Sequence, residues 1–141
     1  MQEYIEFAGR HPLLFVALAA VIALIIMTEL RRATKGFKEV LPAEAVRLIN
    51  KEDAMVLDIR EANELGQGTI IDSKHIALSA LPDKIASLPS DKNKPIIVFC
   101  KMGSRSSQAC KLLLKNSYTN VFGLKGGITS WVNDQLPITK K

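Results

Sequence analysis

The longest apolar run in the chain comes first. Leu13 to Met27, LLFVALAAVIALIIM, contains no polar residue, and Pro12 and Thr28 extend it without charge to 17 residues. At about 1.5 Å rise per residue this is near the lower limit for a helix that crosses a bilayer. A helix of a soluble core would show polar positions at helical spacing, and this run has none on any face. A secretory signal would end in a small-x-small cleavage site, and Thr28-Glu29-Leu30-Arg31-Arg32 offers none. The pattern predicts a transmembrane anchor over residues 12–28, within a segment 1–30 that begins with a short mixed stretch, MQEYIEFAGR.

Beyond residue 38 the pattern changes to short apolar runs separated by polar ones. Glu39-Val40-Leu41 reads as a brief edge strand, and Pro42 suits the first turn of a helix whose buried face is Ala45, Leu48 and Ile49. Ala54 to Ile59 is a buried strand. Glu61 to Leu65 makes one helical turn before Gly66-Gln67-Gly68, and a short strand lies near Lys74 to Ala77. Leu81, Ile85 and Leu88 give a helical face at i, i+4, i+7. Ile96-Ile97-Val98-Phe99-Cys100, opened by Pro95, is apolar and rich in β-branched and aromatic side chains, which marks a strand buried on both faces. After a short loop, Ala109, Leu112 and Leu113 share one face of a helix running to Lys115. Asn120 to Leu124 is a strand, and Ile128, Trp131 and Val132 mark a last short helix.

Strands alternating with helices at this spacing predict an α/β fold, a parallel sheet with helices on both faces, preceded by one transmembrane helix. The expected organisation is an anchor at 1–30, a basic linker at 31–38, a domain at 39–138 and a tail at 139–141. Ligands of such sheets bind outside the carboxyl ends of the strands. Cys100 stands at one such end, Asp58 and Arg60 at another.

Charge fixes an orientation. Arg10 is the only Lys or Arg before the apolar run, whereas Arg31, Arg32, Lys35 and Lys38 follow it closely. An excess of Lys and Arg belongs on the cytoplasmic side, so the expectation is a single-pass protein of the inner (cytoplasmic) membrane whose domain faces the cytoplasm. The bilayer is thus a partner through residues 12–28. The net charge of +5 is mild and no basic stripe is interleaved with aromatics, which argues against nucleic acid. His11 and His75 are isolated and there is no Cys-x-x-Cys, so no metal is expected.

The chemistry sits in Cys100-Lys101-Met102-Gly103-Ser104-Arg105-Ser106. A cysteine ends a buried strand, a glycine-containing loop follows, and a helix starts. The first turn of a helix has unpaired N–H groups and a positive dipole end, and successive loop N–H groups can form an anion-binding nest. Both favour a thiolate at Cys100, as do Lys101 and Arg105 nearby. Such a thiolate would be trapped by a disulfide, which fits a reducing compartment. The second cysteine, Cys110, falls mid-helix beside Ala109, Leu113 and Leu114 and reads as a buried free thiol.

This loop resembles the active-site loop Cys-x-x-Gly-x-Arg-Ser of rhodanese-like sulfurtransferases. Asp58-Ile59-Arg60 resembles the family's Asp-x-Arg, Gly68-Thr69-Ile70 its Gly-His-Ile, and Gly126-Gly127 with Trp131 its closing Gly-Gly-x-x-x-Trp; all occur in the family's order. The resemblance covers roughly residues 39–138. It implies that Cys100 is the catalytic nucleophile, attacking the outer sulfur of a small-molecule donor such as thiosulfate. The resulting persulfide would pass to a thiol, cyanide or a protein acceptor, and no cofactor is implied. It further implies that Lys101, Met102, Gly103, Ser104 and Arg105 form the substrate-binding loop, with Asp58, Arg60 and Ser106 supporting it.

Two roles stay open for Arg105: gripping a substrate oxyanion, or pairing with a carboxylate such as Asp58 or Glu61. Ser104 and Ser106 read as helix caps ahead of anion donors. Three positions depart from the family pattern: Thr69 in place of histidine, Asp72 in place of glycine, and His75 where asparagine is common. All three read as structural. One rival activity is a phosphatase or arsenate reductase of related fold, which the family associates with the longer loop Cys-x5-Arg; Cys100 to Arg105 is Cys-x4-Arg. The other rival is a non-catalytic module that recruits a partner to the membrane.

Overall fold

The computed structural model describes residues 1–140 and divides into two units, Met1–Gly36 and the residues from Phe37 onward. The first unit holds two helices, α1 (Gln2–Arg10) and α2 (Pro12–Thr34). Pro12 separates them. Its ring disfavours helical geometry at His11, which lies at φ −128°, ψ 54°, and its missing N–H costs nothing at a first helical position. The opening stretch, patternless as sequence, is therefore helical, with Arg10 donating to Glu6 one turn back. Pro12–Arg31 is long and apolar enough to cross a membrane. α2 continues to Thr34, so the expected linker is half helix. The Thr34 hydroxyl folds back onto the carbonyls of Leu30 and Arg31 rather than interrupting the turn.

The second unit is built on a five-stranded parallel sheet in the order β1-β6-β5-β2-β4. Its strands are β1 (Lys38–Val40), β2 (Met55–Asp58), β4 (Lys74–His75), β5 (Ile96–Phe99) and β6 (Val121–Leu124). β5 is central and wholly buried, as its unbroken apolar sequence requires. Side chains alternate across it. Ile96, Val98 and Cys100 join one core with Leu57, Leu81, Ala109, Cys110 and Leu113. Ile97 and Phe99 join the other with Ala45, Leu48, Ile128 and Trp131. The first core is closed by α4 (Leu81–Lys84) and α5 (Ser106–Lys115), the second by α3 (Pro42–Glu52) and α6 (Gly127–Asn133).

Three boundaries differ from the sequence reading. Phe37 is buried in the first core, so the domain begins before residue 39. The single helix expected around Leu81 is divided into 3-10 turns at Leu78–Ala80 and Ile85–Ser87 flanking the short α4; Pro82 sits in the first turn of α4, and Leu88 is already extended ahead of Pro89. The expected tail at 139–141 starts inside a strand. β7 (Ile138–Thr139) pairs antiparallel with β3 (Thr69–Ile70), and Lys141 lies outside the described residues. A two-residue strand leaves no periodicity to read; only its partner, 68 to 70 positions away, defines it.

Candidate active site

β5 carries the chain outward through Cys100, which is fully buried and a free thiol. The loop then turns back on itself: the Gly103 N–H donates to Cys100 Sγ at 3.0 Å. Gly103 adopts φ +96°, a conformation open to glycine. Ser106, buried at the first position of α5, donates its hydroxyl to the Gly103 carbonyl at 2.7 Å. It therefore ties the loop to the helix and does not cap it. Ser104 is exposed, and α5 has no side-chain cap. Lys101 and Met102 are exposed on the outer part of the loop.

The other side of the loop is held by α6. The Ile128 N–H donates to the Cys100 carbonyl at 2.9 Å. The Lys101 carbonyl accepts from the Thr129 N–H at 3.2 Å and from its hydroxyl at 2.9 Å. The unpaired N–H groups at the start of a helix are thus satisfied by the loop's own carbonyls. Gly126 and Gly127, at φ +76° and +59°, make this approach possible. A Cβ at Gly127 would run into the Cys100 oxygen and the Lys101 carbonyl. The paired glycines are a spacing requirement of the loop.

Asp58 and Arg60 leave the end of β2 as a buried pair. The Arg60 Nε donates to Asp58 Oδ1 at 3.0 Å and its NH2 to Oδ2 at 2.7 Å. Asp58 also accepts from the Arg60 N–H and the Thr69 hydroxyl. Arg60 then reaches across to the carbonyls of Glu64 and Gly68, fixing the 3-10 turn Ala62–Gln67. Its own carbonyl accepts a 2.6 Å bond from His75 Nε2, which must carry the proton because a carbonyl only accepts. Every partner of this buried pair is accounted for, as burial demands.

The three departures from the family pattern have structural explanations here. Thr69 bonds Asp58 and also meets Ser73 Oγ at 2.8 Å. Asp72 sits at φ +58°, where glycine is at ease and aspartate is tolerated. His75 braces Arg60.

Arg105 pairs with a carboxylate, a partner the sequence did not suggest. Its guanidinium forks onto Glu64, NH1 to Oε2 at 2.7 Å and NH2 to Oε1 at 2.6 Å. Asp58 is engaged with Arg60 instead. Glu64 Oε2 also accepts the Glu61 N–H at 2.8 Å, capping its own turn. The hydrogen bond from Arg105 is the main reason that the Glu64 carboxyl is held down at about 2, and the Arg105 guanidinium is raised in return. The spacing Glu61-x-x-Glu64 signals the cap. Nothing local in it signals a contact 41 residues away.

Beside the loop lies a cleft of about 480 Å³ whose lining includes Lys101, Glu64, Asn63, Gln67, Thr129 and Asn133. Cys110 is buried in the core, and burial pushes its thiol up to about 12.

The domain is a parallel α/β fold with a thiol at the carboxyl end of its central strand, held by the loop that follows. The chain belongs to the rhodanese-like family: the model of the rhodanese-like domain matches residues 41–134. Among relatives, it is 34% identical over 141 residues to the YibN protein of Escherichia coli (strain K12), covering 99% of each. It is 34% identical over 91 residues to the thiosulfate sulfurtransferase GlpE of Stutzerimonas stutzeri, covering 64% of this chain and 82% of that one. The solved rhodanese-related protein of Thermoplasma volcanium superposes with a TM-score of 0.68 at 31% identity, covering 74% of this chain and all of the other.

Proposed function

We propose that the protein is a membrane-anchored sulfurtransferase that carries sulfane sulfur as a persulfide on Cys100. The observation that supports this reading most directly is the Gly103 N–H aimed at Cys100 Sγ from 3.0 Å. A backbone donor fixed on both sides by Ser106 and α6 is preorganised for negative charge on sulfur and needs no rearrangement as charge moves there. Lys101 and the start of α5 add positive potential.

In the reaction the Cys100 thiolate attacks the outer sulfur of thiosulfate or a related sulfane donor. The Cys100–sulfur bond forms as the donor's S–S bond breaks, and the bonding pair leaves on sulfite or the corresponding thiolate. A thiol, cyanide or a partner protein then attacks the outer sulfur of the persulfide and regenerates the thiolate. No oxidant or reductant is consumed. The sulfurtransferase named among the relatives supports this class of chemistry.

Residues 12–28 would span the inner membrane, with Arg31, Arg32, Lys35 and Lys38 on the cytoplasmic side together with the domain. The deciding experiment is intact mass of the full-length protein in detergent after exposure to thiosulfate and, separately, to glutathione persulfide. The expected result is the mass of one sulfur on Cys100, removed by reductant and absent in Cys100→Ser. Sulfur on Cys110, or none from either donor, overturns the enzyme and leaves a membrane-recruitment module.

A further inference from the structure

The loop is poorer in available positive charge than its sequence suggests. Arg60 is committed to Asp58, buried and fully hydrogen-bonded. Arg105 is committed to both oxygens of Glu64, and Glu61 adds a second carboxylate within electrostatic reach of the same guanidinium. Among the described residues Lys101 is the loop cation that makes no ion pair. With Lys101 and Arg105 set against Glu61 and Glu64, the charged side chains of the loop and of the turn beside it sum to zero, and a thiolate on Cys100 makes the set negative.

Charge then separates the possible donors. Thiosulfate brings two negative charges, one end of them on a sulfonate that needs donors of its own. A persulfide, R–S–S⁻, brings one on the terminal sulfur and has no sulfonate to accommodate; that sulfur meets Cys100 Sγ, which the Gly103 N–H serves. We infer that Glu64 selects the donor: by holding Arg105 it leaves the loop suited to a singly charged persulfide and unsuited to the thiosulfate dianion. This rests on the sulfurtransferase reading above and narrows its donor class. In either case the donor's S–S bond breaks as the Cys100–sulfur bond forms. A persulfide donor releases RS⁻ where thiosulfate releases sulfite. Glu64 does not touch the reacting sulfur and acts through Arg105, as a positioning residue.

The test compares kcat/KM for cysteine persulfide, whose ammonium and carboxylate cancel and leave the single charge on sulfur, and for thiosulfate in the full-length protein in detergent. Glu64→Gln keeps a hydrogen-bond acceptor beside Arg105 and removes one negative charge. It should raise the ratio of thiosulfate to persulfide efficiency about tenfold, mainly through KM for thiosulfate, the order of effect of one unit charge in a partly solvated site. A purely structural role for Glu64 would lower both efficiencies together and leave the ratio unchanged, and that result overturns the inference. Wild-type protein supplies a second measure that does not depend on how the variant folds. If the site repels the dianion, added salt screens the repulsion and raises thiosulfate efficiency relative to persulfide. A fall in that relative efficiency with salt, as a free cation would produce, also overturns it. Failure of both donors to load Cys100 at all would instead strike the underlying reading.

Discussion

Gly127 lies so close beneath Cys100 that a Cβ on the glycine would overlap the cysteine's carbonyl oxygen. The closing glycine pair and the loop cysteine, 27 positions apart, are one packing unit. Through it α6 presses its first N–H groups onto the loop's carbonyls. Gly127→Ala should therefore be destabilising by at least about 2 kcal/mol, from the overlap and from the positive φ together. It should also reduce sulfur loading of Cys100 in molecules that remain folded. Chemical denaturation and intact mass measure the two effects. A variant as stable as wild type and equally reactive would refute the spacing role.

The Glu64–Arg105 pair predicts a pH dependence. Arg105 holds the Glu64 carboxyl at about 2, below its ordinary 4.5. A depressed carboxyl contributes stability that is fully present above its unfolded value and is lost as pH falls through the folded one. The contribution should therefore fade between about pH 4.5 and pH 2. Thermal melts of wild type and Glu64→Gln across that window should converge as the pH drops. Curves that stay parallel would show that the pair contributes no linked stability.

Asp58→Asn leaves the shape of the side chain but removes the charge that balances buried Arg60. Breaking a buried pair in this way is destabilising by about 3–5 kcal/mol. Because Arg60 also fixes the turn that carries Glu64, the loss should extend to Arg105 and appear as a drop in sulfur loading as well as in stability. Urea unfolding resolves the first part and intact mass the second.

Cys110 should be chemically silent. Like Cys100 it is buried, but it lies within α5 in the core rather than at the loop, and burial raises its thiol from 9.0 to about 12. A raised value contributes stability that is present below the unfolded value and is lost as pH rises through the folded one. The native protein at neutral pH should be alkylated by iodoacetamide at Cys100 alone, with Cys110 labelled only after denaturation. Cys110→Ala should retain activity and lose stability through a small cavity, by about 1–2 kcal/mol. Peptide mapping of labelled protein checks the first point, and label on native Cys110 would contradict it.

The proposed topology rests on the charge asymmetry around α2. A tag at the carboxyl end should resist protease added outside intact cells and become sensitive once the membrane is opened. Digestion in intact cells would reverse the orientation proposed here.

The sequence by itself determined the elements whose signal is local. β5 is legible because five apolar residues in a row have one stable setting, a strand covered on both faces. α2 is legible because a run without charge has no aqueous face. The loop Cys100–Arg105 is legible because strand, glycine and helix follow each other directly.

Tertiary structure decided what depends on pairs far apart in the chain. Arg105 has several carboxylates open to it in sequence; the 3-10 turn fixed by Arg60 brings Glu64 to it, while Asp58 is already taken. Ser106 looks like a cap, yet its hydroxyl finds the Gly103 carbonyl because that loop turns back toward Sγ. β7 exists only because β3 offers it an edge. A hydrophobic period records which face of an element is buried. It carries no record of which charged or polar group will stand opposite, because that choice is made by the packing of distant elements.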